Sequence, residues 1–115
     1  MWRILQLEKS DDFVLGTGEA HSVREFVEEA FSYVGLQYSR YVKIDENYLR
    51  PTETDVLVSN SSKARRVLNW NPKVKFKQLV RIMVDADLRK TGLEPPAEGD
   101  EIVSRLFPQR WWKVD

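Results

Sequence analysis

The sequence predicts an α+β fold: a small, mostly helical domain with a few short strands. Two long stretches carry apolar residues at helical spacing, and each runs into a glycine. Three shorter runs rich in Val, Ile, Leu and Tyr lie beside turn signals, as short strands do. With 115 residues, 42% of them hydrophobic and 31% charged, the chain has the size and composition of one globular domain.

The elements follow in order. "MWRILQLEK" places Trp2, Ile4, Leu5 and Leu7 as in a short helix, although no capping residue precedes it. "FVLGTG" reads as a strand running into a glycine turn. "HSVREFVEEAFSYVG" is a capped amphipathic helix. Ser22 and Glu25 form a capping box, Val23, Phe26, Val27, Ala30, Phe31 and Val34 make its apolar stripe, and Gly35 stops it. "YVKID" and "DVLVSN" are short strand candidates. "NSSKARRVLNW" reads as a short helix capped by Asn60 or Ser61, closed by the Asn71-Pro72 turn. "FKQLVRIMVDADLRKTG" is a second amphipathic helix, with Phe76, Leu79, Val80, Met83, Val84 and Leu88 on one stripe and Gly92 as its end. "LEPPAEGD" is a predicted linker, "EIVSRLF" a helical turn or two, and "PQRWWKVD" an aromatic tail. The Trp111-Trp112 pair is expected to fold back onto the domain or onto a partner.

Composition excludes several function classes. Eighteen basic residues balance eighteen acidic ones, so neither nucleic acid nor a membrane is an expected partner. With no cysteine, disulfides, thiol nucleophiles and thiolate metal sites are excluded. The opening apolar run is too short for a signal peptide or a spanning helix, so a cytoplasmic protein is expected. The glycines at Gly16 and Gly18 lack the third one a dinucleotide loop needs, because His21 stands there. Neither a G-x-S-x-G elbow nor an H-E-x-x-H pair occurs, and no tyrosine begins a Tyr-x-x-x-Lys pair. No catalytic or metal-binding residue is assigned. His21, beside a helix cap, reads as structural, and Asn60 reads as a cap rather than a glycosylation acceptor. Taken alone, the sequence does not describe a complete enzyme.

One stretch stands apart. "NYLRPTETDV" sets Arg50 before Pro51, where helical geometry is disfavoured, with Glu53 and Asp55 close behind. A guanidinium offers a planar fork of donors and a carboxylate offers acceptors, and a loop frees both from helix geometry to face a ligand. A local Arg50–Glu53 or Arg50–Asp55 surface pair, worth ~0–1 kcal/mol, is the alternative.

The blocks "MWRILQLEKSDDFVLGTGEAHSVREFVEEAF", "RPTETDVL" and "SKARRVLNWNPKVKFKQLVRIMVDADL", in this order, resemble the C-terminal part of the GDP-mannose 4,6-dehydratase family of extended short-chain dehydrogenase/reductases. The resemblance spans residues 1 to 92. It implies that residues 1–92 are a nucleotide-sugar binding domain and residues 93–115 a linker and aromatic tail. It further implies a parent lyase whose separate Rossmann domain binds NADP and carries the catalytic residues. That enzyme oxidises the sugar at C4, eliminates water across C5 and C6, and returns the hydride to C6, on the route to GDP-fucose.

On this resemblance Arg50 and Glu53, the first and fourth residues of the family's R-P-x-E motif, belong to the substrate wall. The implied partners are GDP-mannose and a Rossmann domain, and the chain itself is expected to bind no cofactor. A domain without its Rossmann neighbour would expose an apolar face, so self-association is expected. Two departures stand out. Ser59-Asn60-Ser61 replaces the family's Gly-Asp-Pro, and Lys75 stands where a Ser or Thr cap is common, at a cost of about 1 kcal/mol. Trp70 is expected to pack on the core rather than stack on a base. A stand-alone interaction module, and a portion of a different nucleotide-sugar epimerase or dehydratase, remain as alternatives.

Overall fold

A capping box opens the first long helix as the sequence requires. In the computed structural model, which describes residues 1–48 and 57–110, Glu25 N–H donates to Ser22 Oγ at 3.1 Å. Ser22 N–H donates back to Glu25 Oε2 at 2.6 Å. The regular elements are α1 (Trp2–Leu5), α2 (Val23–Tyr33), α3 (Ser62–Leu68), α4 (Phe76–Lys90) and α5 (Glu98–Leu106). Two 3₁₀ turns, Tyr38–Arg40 and Glu46–Tyr48, follow α2. Gly35 and Gly92 take left-handed φ of 72° and 80° beyond α2 and α4, as their stop role predicts.

The described residues are helices joined by irregular segments, as the expected mostly helical domain requires, and among them the expected short strands are not present. "FVLGTG" and "YVKID" are irregular, and so are residues 57–60 of "DVLVSN", whose first two residues lie outside the described set. A strand exists only when its backbone finds a ladder partner. Residues 13–18 and 57–61 do approach each other, but they join through the Ser61 hydroxyl, which donates to Gly16 C=O at 3.0 Å. Trp111-Trp112 also lies outside the described residues.

The chain forms two compact units. The first comprises Met1–Ala20 and Thr52–Lys73. Its core is Ala64 and Leu68 of α3, with Ser61 buried beside them. Asn60 Oδ1 accepts from Ser62 N–H at 3.1 Å, so of the two proposed cap residues Asn60 bonds the helix start while Ser61 ties it to Gly16. Asn69, left-handed at φ 48°, ends α3, and half-buried Trp70 donates its N–H to Ala64 C=O. Arg3 of α1 reaches the same end, donating to Leu68 C=O at 3.0 Å and to Asn69 C=O. Lys63 pairs with Asp11 at 2.6 Å, donates to Asp12 C=O and lies over the Phe13 ring.

The second unit comprises His21–Pro51 and Val74–Asp115. Helix α4 packs against both α2 and α5. Its buried residues are Val80 and Asp85, while Leu79 and Met83 of the predicted stripe remain over 40% exposed. The core is completed by Ile102 and Val103 of α5. Helix α5 starts at Glu98, inside the predicted linker, and crosses α4 at Gly99. A Cβ on Gly99 would stand 2.6 Å from Arg81 C=O and 2.7 Å from Ile82 Cα, so only glycine permits this approach. At the start of α4, Lys75 offers no side-chain acceptor, yet its N–H donates to Gln78 Oε1 at 2.9 Å. Half of a capping box therefore offsets the missing Ser or Thr.

Candidate functional site

The two residues singled out from the sequence, Arg50 and Glu53, lie outside the described residues, as does Asp55. The structure describes the chain on either side of them. Ahead of the motif, Asp45 Oδ1 accepts from Asn47 N–H at 2.9 Å and from Asn47 Nδ2 at 2.8 Å, an Asx turn that opens the Glu46–Tyr48 turn. Beyond it, Leu57 and Val58 are exposed before the Asn60 cap of α3.

His21 takes the structural role expected of it. Its ring stacks on Phe76 at 3.8 Å between centroids and 13° between planes, joining the start of α2 to the start of α4. Phe26 meets Phe76 edge-on, 6.3 Å between ring centroids. His21 Nδ1 also lies 3.8 Å from Glu25 Oε2. The capping hydrogen bonds from Ser22 hold the Glu25 carboxyl below its ordinary range, so it stays an anion at the α2 N-terminus. Together with Glu28, Glu29, Ser32 and Lys77 these residues line an open, acidic groove of about 340 Å³. Among the described residues no three His, Asp or Glu side chains are grouped to hold a metal ion.

A second groove, of about 300 Å³, runs between the C-terminal halves of α2 and α4. Ala30, Phe31, Val34, Leu36, Val84 and Leu88 supply its apolar wall. All but Leu36, which follows the Gly35 stop, are stripe residues of the two amphipathic helices that helix packing leaves half open. Its chemistry suits an apolar surface rather than a phosphate.

Sequence reading missed a buried polar group that joins three helices. The Asp85 carboxylate is fully buried, accepting from Tyr33 OH at 2.9 Å and from Gly99 N–H at 2.7 Å. The Tyr33 hydroxyl in turn accepts from Glu98 N–H at 3.1 Å. Burial, reinforced by the Asp85 carboxylate, pushes the Tyr33 phenol up to about 12. Arg81 lies over the Tyr33 ring at 5.6 Å and pairs with Glu98, while Arg89 pairs with Asp100. The only trace of this node in the sequence is an aspartate inside an apolar run, "MVDADL", which also reads as a solvated position.

A family model described as GDP-mannose 4,6 dehydratase matches residues 1–83. GDP-mannose 4,6 dehydratase 1 of Arabidopsis thaliana is 52% identical over 88 residues, covering 76% of this chain and 24% of that protein. The GDP-mannose 4,6 dehydratase of Homo sapiens is 41% identical over 114 residues, covering 84% of this chain and 31% of the human protein. That of Dictyostelium discoideum is 45% identical over 105 residues, covering 76% and 30% respectively. The chain thus spans about a quarter to a third of the length of these relatives. The family match takes in the Arg50–Glu53 motif, the α2 capping box and the first half of α4, and on that ground the chain belongs to the GDP-mannose 4,6 dehydratase family.

Proposed function

We propose that this chain is the substrate-binding portion of a GDP-mannose 4,6-dehydratase, a lyase forming GDP-4-keto-6-deoxymannose, and that it is not catalytically complete by itself. The observation that carries the reading is the family match over residues 1–83, in a chain covering only 24% of its Arabidopsis thaliana relative. Residues 1–92 bind the nucleotide-sugar. Arg50 contacts the diphosphate as a fork of donors, and Glu53 accepts from ribose hydroxyls. NADP and the groups that move hydride and proton belong to a Rossmann domain, which the sequence supports by lacking both the glycine fingerprint and a Tyr-x-x-x-Lys pair.

The test is reconstitution. The chain is mixed with the Rossmann part of a family member, and conversion of GDP-mannose is followed in the presence of NADP. Activity is expected only in the mixture, with apparent GDP-mannose affinity falling about 10- to 100-fold in Arg50→Ala, the loss of a charge-assisted contact. Competition by UDP-sugars as strong as that by GDP-sugars would redirect the reading to another nucleotide-sugar enzyme. Neither complex nor activity would overturn it.

The apolar groove favours a second reading, a stand-alone interaction module. It predicts no response to GDP-mannose and a reproducible protein partner. The exposed Leu36, Leu79 and Met83 also support self-association of the isolated chain, which sedimentation at rising concentration checks. A monomer throughout would refute it.

A further inference from the structure

We infer that α5 is a strap that folds only while docked, with the buried Asp85 carboxylate as its latch. The family match ends at residue 83, so the latch and the whole of α5 lie in the part of the chain beyond it. Helix α5 has nine residues, too few to persist as an isolated helix in water. Its N-cap, Ala97, offers no side-chain acceptor, so the first turn has no local cap. The acceptors come from other helices instead. Asp85 of α4 takes Gly99 N–H, and the hydroxyl of Tyr33 at the end of α2 takes Glu98 N–H.

The backbone leading into α5 is held away from its preferred geometry. Ala97 sits at φ 71°, ψ 1°, a left-handed conformation that a Cβ disfavours. Something must hold it there, and the adjacent latch does so. If Asp85 lets go, Gly99 N–H loses its acceptor, the Tyr33 hydroxyl that takes Glu98 N–H loses the carboxylate it donates to, Ala97 relaxes, and the first turn of α5 loses its cap. Docking and helix formation are thus one event, an order–disorder transition of Glu98–Leu106 that opens the approach of Gly99 to Arg81 and Ile82 of α4.

Hydrogen–deuterium exchange on the 115-residue chain, resolved by helix, tests this. In the unmodified chain, amides of Glu98–Leu106 are expected to exchange at least about tenfold faster than the protected amides of α4. Ala97→Gly relieves the strained residue and is expected to slow α5 exchange about two- to fivefold, leaving α4 unchanged. Asp85→Ala should raise α5 exchange about tenfold or more. Should that variant unfold altogether, the unmodified chain and Ala97→Gly still decide the matter. Exchange of α5 at the same rate as α4, or an Ala97→Gly effect shared equally by both helices, would overturn the strap.

Discussion

The two units solve the same problem by different means. In the first, segments far apart in sequence are tied by cations that donate to backbone carbonyls: Arg3 to the end of α3, Lys63 to Asp12 and Arg65 to Thr17 at 3.4 Å. In the second, three helices converge on a buried carboxylate, and a glycine lets two of them touch. The first arrangement leaves its ties near solvent, where each is weak and separately replaceable. The second concentrates its polar bonds in one dry place, where each loss strands other groups. Local stability should therefore respond sharply to single changes in the second unit and gently in the first.

Gly99→Ala is the strongest way to break that contrast. Its Cβ meets backbone atoms of Arg81 and Ile82, which cannot swing aside as a side-chain tip could. A loss of about 2–3 kcal/mol is expected, read by denaturant unfolding, with the α3 amides least affected in exchange measurements. An unchanged midpoint would mean that α4 and α5 are not in contact as described.

Alkali sharpens the comparison further. The Tyr33 phenol rises on folding from its ordinary value of 10 to about 12, so the folded chain holds this proton more tightly than the unfolded chain does. Its stabilisation is complete below pH 10 and is lost as pH climbs from 10 towards 12. Unfolding followed across that window should show a decline in the second unit that Tyr33→Phe removes. A decline of equal size in the Phe variant would assign it to other groups.

The smallest effects belong to the first unit. Arg3→Ala frees the carbonyls of Leu68 and Asn69 and should cost about 1 kcal/mol, seen as faster exchange at the end of α3. Lys63→Ala removes an exposed pair with Asp11 and is expected to cost less than Arg3→Ala, and less still in high salt. A loss at Lys63 exceeding that at Arg3 would reverse the ranking.

What could be read from sequence divides along the same line. The α2 capping box and the extent of α4 were legible because their signals lie within three or four residues of each other. The strands were not, because a β-branched run states a preference and a ladder requires a partner. The end of helix α5 was read from "EIVSRLF" as a helical turn or two, but its start was hidden twice. Its first residues sit among Pro95, Pro96 and Gly99, which read as a linker, and its cap is supplied from Asp85 and Tyr33 rather than from a neighbour. Arg50 and Glu53 stand out in the sequence because Pro51 disfavours helix at Arg50, and both lie outside the described residues.

The order in which the chain visits its two units limits how it can be dissected. It leaves the first after Ala20, returns within residues 49–56, and leaves again after Lys73. Neither unit is a continuous piece of sequence, so no single cut releases one intact. Removing residues 1–20 takes α1 from the first unit, and stopping at Lys73 strips α4 and α5 from the second. A gene fragment encoding either unit alone would need its halves rejoined by a new linker.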